Sequence, residues 1–549
     1  MQYFKKIQLI FTVENKKVEH RCLALFFSCL VILGIAVHRD YGISWDEPDS
    51  RTLGIVNVMY LGKIFGISAI EQSQEFSQYQ KFELNAYKDK DYGVLFEAPA
   101  VLLERVLRIS DEQHIYYFRH LLTYFVSLLG VYAIYRLSQR RFQDWRIGLL
   151  SALFFILTPR MFAESFYNDK DLVFLAFFTL GLNALIAFVQ LPTKRLAMLF
   201  ALTTALAMNI RLMAIILPVM ALFVLLSQVY LRRLSIRQII MPLLVYGLMS
   251  LVLTVLLWPW LWSDPLGHLA IAFSNMRQFR WFGFPFYFGQ YWPIKELPWH
   301  YLIVSIVITS PLWILILWLS GAIQTLYEWI KRRAVLWTNF EQMQDMIFLG
   351  VFLLPIIAIV IMHSVVYNGW RHVYFIYPAM ILIATKGLVG LWNLASLLRE
   401  KVHIRFAKGL LTLLVVAFCL SSLQWMIFSH PFQNVYFNYL AGPNWKDLWE
   451  VDYWGLSNRK ALQSIAKIDA RPSLLIWPGS NTPLYYALKL LPEADRNRLA
   501  ITSHEEEAHY IVTNFHGNQE DYEKSGRGVL IEQFFIGPQL IYAIYQRKP

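Results

Sequence analysis

The chain has 549 residues, of which 57% are hydrophobic and only 16% charged. Soluble domains carry nearer a quarter charged residues, so a soluble multidomain protein is excluded. The net charge of +12 comes from Lys and Arg in short loops between apolar runs. That is topology information, and it argues against a nucleic-acid footprint. The cysteines Cys22, Cys29 and Cys419 all fall at or within apolar runs. They offer neither a disulfide framework nor a Cys-based zinc site.

Eleven apolar runs approach the roughly 20 residues that cross a bilayer. They cover about 22–38, 116–135, 147–163, 171–190, 196–211, 213–230, 239–261, 301–321, 346–364, 373–392 and 409–428. The first follows Lys5, Lys6, Lys16, Lys17 and Arg21 and lacks a small-residue cleavage site, so it reads as a retained span. The loops 136–146, 194–195, 232–237, 331–333 and 399–408 are all basic. By the positive-inside rule they lie in the cytoplasm with the N-terminus, which puts Asp46 and the C-terminal region outside. The expected fold class is therefore a polytopic α-helical protein of about eleven spans in the cell inner (plasma) membrane. Residues 1–430 form the membrane part, and 431–549 a small C-terminal mixed α/β extracytoplasmic domain.

The first outer loop, 39–115, carries an amphipathic stretch from Val94 to Ile109 with helical spacing of Leu95, Val101, Leu102, Val106 and Leu107. Such a helix is expected in the interface plane. The loop 262–300 is dense in Trp, Phe and Tyr and punctuated by Gly and Pro, which suggests a shaped cover over a cavity. Beyond residue 429, strand-like runs at Ser473–Trp477, His509–Thr513, Val529–Ile536 and Leu540–Tyr545 alternate with a helix-like run, Pro483–Leu491. Gly537-Pro538 is placed to turn the last two strands into a hairpin.

Three groups of residues point to chemistry. Asp46 and Glu47 lie where the first span meets water, and ionisable groups at membrane depth are costly and usually functional. The alternative is a solvated loop pair. Pro48 disfavours helix at Glu47 and predicts an extended or turn conformation there. Asn168-Asp169-Lys170-Asp171 forms the second group. Acids at a helix start also stabilise the dipole, and Asp169 with Asp171 spells the D-x-D that holds a metal in nucleotide-sugar enzymes. That use needs a Rossmann-like soluble domain, and none precedes it. The third group is cationic: Arg119-His120, Arg211 and Arg371-His372 fall on the outer side against the positive-inside trend. Arg forks match phosphate oxygens, so convergence of these residues favours an anionic lipid-phosphate ligand over lipid-headgroup contact. Lys386, deeper in the tenth run, reads as snorkelling or internally paired.

Together these residues resemble the GT-C glycosyltransferase superfamily. The nearest likeness is glycosyltransferase family 39, which takes in protein O-mannosyltransferases and lipid A aminoarabinose transferases. The matching features, in order, are Ser44-Trp45-Asp46-Glu47-Pro48, Arg119, Thr158-Pro159-Arg160 through Asp171, Arg211, Leu297-Pro298-Trp299-His300-Tyr301 and Trp370-Arg371-His372. Tyr436 to Leu440 and Asp452-Tyr453-Trp454-Gly455 are similar to bacterial members. The resemblance implies a one-step inverting transfer from a polyprenyl-phosphate-linked sugar donor to a periplasmic-side glycan, lipid or protein acceptor, among membrane lipids and without nucleic acid. It makes Asp46 the candidate base, Glu47 its neighbour in positioning, and Asp171 the second acidic site residue. Arg119, Asp169, Lys170, Arg211, Arg371 and His372 become substrate-binding candidates. It implies no certain cofactor; a divalent metal on the Asp169 and Asp171 pair is the open alternative. A transporter or flippase of a lipid-linked saccharide is the rival reading. It calls for polar groups deep in several spans, whereas the ionisable groups here gather at one face.

Overall fold

The computed structural model describes residues 2–548 apart from Gln72, Gln278 and Ala334; the side chains of residues 2–15, Gln74, Glu75 and Arg277 also fall outside the description. All eleven apolar runs are helical. Among the described residues, nine helices are long and apolar enough to cross a membrane, or ten if one bent pair counts as a single span. The expected eleven is thus corrected: the third and fifth runs drop out, and the eighth is redrawn as Leu312–Lys331.

The third run bends by 74° between Trp145–Ile156 and Pro159–Tyr167. The break falls at Thr158, which is extended (φ −90°, ψ 107°) because the ring of Pro159 disfavours helix in the residue before it. The fifth run, Lys194–Met208, is 15 residues. At 1.5 Å per residue it reaches roughly 22 Å, short of the hydrocarbon core. The eighth run divides at Ser310-Pro311 into Tyr301–Thr309 and Leu312–Lys331 for the same reason as the third. Such irregular backbone at membrane depth is tolerated where it is covered by protein or lines a cavity.

The most enclosed span runs from Arg371 to Ala395. It lies against Leu312–Lys331 through Gly321 and Gly387. A Cβ on either glycine would strike the facing helix's carbonyl oxygen, that of Ile383 or Leu317. This is the close small-residue approach that membrane helices use in place of a hydrophobic drive. One polar group on this scaffold joins Arg141, Asp345, Lys386 and Glu328. Arg141 grips Asp345 at 2.6 and 2.7 Å, and Lys386 reaches Asp345 at 2.8 Å and Glu328 at 3.2 Å. Lys386 is internally paired. A separate polar group, built on the loop ends around Asp46 and Arg371, forms the site.

The loop 39–115 departs from expectation at Glu47. Helix Glu47–Phe65 starts there, with Pro48 in its first turn. Pro suits that position because its missing N–H is not needed, and this outweighs its effect on the residue before it. Helix Glu97–Val106 is amphipathic in an unusual sense. Leu102, Leu103, Val106 and Leu107 are exposed, as an interfacial helix requires, while Glu97 and Glu104 are buried. The reason is a buried cation, Arg119, on the second span.

The C-terminal region holds a five-stranded sheet in the order β4-β3-β5-β7-β6. Its strands are β3 Leu474–Pro478, β4 Leu499–Ile501, β5 Tyr510–Thr513, β6 Gly528–Ile536 and β7 Gln539–Arg547. β3 runs parallel to β4 and β5, and β7 antiparallel to β5 and β6. Gly537, at φ +57°, turns β6 into β7 as expected. Helix Ser457–Ile468 covers one face through Ala461, Leu462 and Ile465. The loop that follows β5 returns toward the membrane part.

Candidate active site

Asp46 precedes the first helical residue of the outer loop and its side chain is 29% exposed. Arg371 Nη1 donates to Asp46 Oδ2 at 2.7 Å. The same nitrogen lies 3.6 Å from Asp171 Oδ2, and Arg211 pairs with the other oxygen of Asp171. Asn168 fixes Asp171 from below: its Nδ2 donates to Asp171 Oδ2 at 3.2 Å, and its Oδ1 accepts from the Asp171 N–H at 2.8 Å. The guanidinium of Arg371 sits over the rings of Tyr367 and Trp454, at 5.1 and 4.8 Å, a favourable placement for a cation. Burial works against the Asp46 charge, but Arg371, Lys170 and Arg211 outweigh it and hold the carboxyl well below the usual range.

Lys170 has no carboxylate within 4 Å among the described residues. Its ammonium lies 5.1 Å from the centre of the Tyr92 ring. Burial opposes its charge, yet Asp46 and Tyr92 keep its pKa raised. It lines a cavity of about 280 Å³ with Asp46, Arg211, Arg371 and His372. The aromatic walls are Trp45, Tyr92, Phe279, Trp281 and Tyr367. Phe279 and Trp281 come from the aromatic loop 262–300, which thus forms part of the cavity wall. Trp281 stacks on Tyr367 at 4.2 Å.

A second cavity of similar size, about 280 Å³, opens beside the first. It is lined chiefly by apolar side chains such as Ile216, Met276, Pro355, Ile359 and Met362 from membrane helices and the outer loop. Tyr92, Arg211, Phe279 and His372 line both cavities. Tyr92 is placed by an unusual contact. Leu95 N–H donates to Asn209 O at 3.2 Å, and a Cβ on Gly93 would overlap that same carbonyl. Only glycine lets the first outer loop lie on the turn that carries Arg211.

The other candidates are buried beneath this cavity. Glu47 is 1% exposed. It accepts from the Ser44 N–H at 2.6 Å and lies 3.0 Å from His120. Asp46 and Glu47 therefore diverge, one to the cavity and one to the interior. Arg119 is 1% exposed. It pairs with Glu97, with Glu104 at 2.9 Å and with Asp169 at 3.7 Å. Arg51 also holds Glu104 at 2.9 Å. Burial and neighbouring Glu97 push the Asp169 carboxyl up, and Ser50 donates to it at 3.1 Å. Arg119 and Asp169 do not line the cavity.

Asp169 and Asp171 thus face different cations, Asp169 toward Arg119 and Asp171 toward Arg211 and Arg371. Among the described residues, no group of three His, Cys, Asp or Glu side chains gathers in a metal-binding arrangement. A metal needs several free oxygen donors converging, so the residues of this pair do not fit one.

Several site residues were not anticipated. Glu164, fully buried, accepts from Tyr374 at 2.8 Å, Tyr453 at 3.1 Å and Asn168 at 2.8 Å. It directly follows the third apolar run, where an isolated acid is itself a signal. Glu97 and Glu104 were hidden on a helix read by its apolar face. His516, which lines the polar cavity from the C-terminal sheet domain, has no local signature.

Residues 107–258 match the family described as dolichyl-phosphate-mannose-protein mannosyltransferase; this stretch holds Arg119, Asp169, Lys170, Asp171 and Arg211. No curated protein matches the chain in sequence. Among solved structures, ArnT from Cupriavidus metallidurans in the apo state is 12% identical with a TM-score of 0.47, covering 96% of this chain and 98% of that one. Its undecaprenyl phosphate complex gives 12% and 0.46, over 95% and 97%. The Archaeoglobus fulgidus oligosaccharyltransferase in the apo form is 12% identical with a TM-score of 0.38, covering 76% of this chain and 57% of that chain.

Proposed function

We propose that the protein transfers a sugar from a polyprenyl-phosphate carrier to an acceptor at the outer face of the plasma membrane. One observation carries this reading: a cationic cavity and an apolar cavity share Arg211, Tyr92, Phe279 and His372. That pairing suits a ligand with a charged phosphate joined to a long hydrocarbon chain. Lys170, Arg211 and Arg371 bind the phosphate, and the apolar cavity takes the first isoprene units. The phosphate is also the leaving group, so developing negative charge in the transition state meets cations already in place. Asp46 then acts as the base that takes the proton from the acceptor, and Asp171 aligns Arg211 and Arg371. Glu47, His120, Asp169 and Arg119 hold the loops that carry these groups.

The test uses the full chain in lipid nanodiscs. Undecaprenyl phosphate is titrated first, followed by a transfer assay in membranes supplied with radiolabelled polyprenyl-phosphate sugars. The expected result is saturable phosphate binding, kept in Asp46→Asn while transfer falls about 10²–10⁴-fold. Absent binding, or full transfer by folded Asp46→Asn protein, overturns the reading.

A further inference from the structure

His516 lies in the loop after β5, far in sequence from every other cavity residue. It lines the polar cavity with Asp46 and Trp45, and it also lines a small recess with Glu450, Phe286, Trp449 and Gln519. Its ring meets Trp45 edge-on at 6.1 Å. His516 Nδ1 and Glu450 Oε2 are both buried, and neither finds a hydrogen-bond partner among the described residues. Buried polar atoms are normally satisfied, and the recess of about 10 Å³ that both residues line has room for about one water; the His516 ring also borders the larger cavity of Asp46.

The backbone around them is well built. Tyr287 bridges to Trp449. The short outer hairpin of β1 Phe286–Tyr287 and β2 Gln290–Tyr291 is tied to the C-terminal region by the Phe286 N–H, which donates to Glu450 Oε1 at 3.3 Å. Asn514 holds the loop base by donating to Asp452 O at 2.8 Å. The recess is therefore a seam between the membrane part and the sheet domain, with fixed walls.

Its chemistry differs from that of the phosphate side. The one cation in the recess, Lys446, is engaged by Asp447 at 3.0 Å and lies 4.8 Å from the Phe515 ring centre. Burial lowers the His516 imidazole to about 4, so it is neutral near pH 7. Burial likewise raises Glu450 to about 7. A neutral imidazole suits a hydroxyl group, not an anion. Trp45 adds an aromatic surface of the sort on which a sugar ring packs.

We propose that His516, with Trp45, forms part of the acceptor subsite, and that its imidazole binds a hydroxyl of an uncharged saccharide beside Asp46. This deepens the transferase reading and rests on it. The sheet domain then supplies acceptor recognition, while the membrane part supplies donor binding.

The test is saturation-transfer NMR with a panel of methyl glycosides on the full chain in nanodiscs loaded with undecaprenyl phosphate. Wild type is expected to give ring-proton signals for at least one glycoside, and His516→Ala is expected to lose them at least fivefold. His516→Gln, which keeps an accepting oxygen, is expected to retain most of the signal, as is the distant control Lys524→Ala. Undecaprenyl phosphate affinity should be unchanged in all of these variants. Glycoside signals that persist in folded His516→Ala overturn the proposal, as does a total lack of glycoside binding by wild type that binds undecaprenyl phosphate. Failure of the phosphate itself to bind strikes the donor reading instead, so the two failures are distinct.

Discussion

Arg371 Nη1 bonds Asp46 Oδ2 at 2.7 Å and lies 3.6 Å from Asp171 Oδ2. One guanidinium therefore joins the candidate base to the second acid before any substrate arrives. A carboxylate so engaged is a weak base. A phosphate entering between Lys170, Arg211 and Arg371 competes for the same N–H groups and adds negative charge next to Asp46. Both effects raise the affinity of Asp46 for a proton. The donor thus activates the base against the acceptor, and the expected kinetic order is donor first.

This gives a pH prediction. In the free protein the Asp46 pKa is depressed, chiefly by Arg371 acting against burial. The kcat/KM for donor, which reports free-enzyme groups, should show no acid limb from Asp46 between about pH 4 and pH 8. In Arg371→Gln the largest opposing cation is gone while burial remains, so an acid limb should enter this range. The sign for stability follows from the same shift. The Asp46 pair stabilises the fold above the unfolded carboxyl pKa, and that contribution is lost as pH falls through the lower folded value. Profiles of donor kcat/KM against pH for both proteins check the prediction, and an unmoved acid limb in the variant refutes it.

Lys170 separates donor binding from structure. It has no carboxylate partner within 4 Å among the described residues, so removing its charge leaves no acid in direct ion-pair contact stranded. Lys170→Gln should raise the donor KM by about 10–100-fold, the loss of one hydrogen bond to a charged group of about 1.5–3 kcal/mol. Thermal stability should change little. Arg211→Gln should cost more in both respects, because it also removes the partner of the buried Asp171 Oδ1. Titration of undecaprenyl phosphate onto each variant measures the difference.

The spans and the outward charges were legible because hydropathy runs and loop charge are local signals. Asp46, Lys170, Arg211, Arg371 and His372 were found that way, and they do meet in one cavity. What escaped depended on partners far away in sequence. Arg119 reads as a phosphate ligand until Glu97 and Glu104 are seen turned toward it. The amphipathic pattern of residues 94–109 identifies two faces but not which is buried, because in a membrane the exposed face is the apolar one. His516 could not be found from a β-rich tail that carries no span. The third and eighth runs break for a local reason that was visible in part: Pro159 and Pro311 interrupt runs whose mean hydropathy still looks continuous.

The contact of Gly93 with Asn209 yields a steric prediction. A Cβ at residue 93 would overlap the Asn209 carbonyl, which is backbone and cannot rotate away. Gly93→Ala should lift the first outer loop off the turn before Arg211 and carry Tyr92 with it. Undecaprenyl phosphate affinity should fall about tenfold or more, as expected for a displacement near 1 Å at a binding group. Gly409→Ala, which meets nothing within 4 Å, is the matched control and should bind as wild type.

The buried charges under the cavity give the last prediction. Arg119 serves Glu97, Glu104 and Asp169 at once, and all four are nearly inaccessible. Taking the cation away strands carboxylates in a low-dielectric interior, which costs about 3–5 kcal/mol when one partner of a buried pair is removed. Arg119→Met should therefore lower the thermal midpoint in detergent markedly. Arg119→Met with Glu97→Met should recover part of that loss, because an apolar pair replaces an unpaired charge. A direct phosphate ligand would behave differently: Arg119→Met would keep its thermal midpoint and lose donor affinity alone. Size-exclusion recovery after heating, read beside undecaprenyl phosphate titration, distinguishes a structural clamp from a substrate contact.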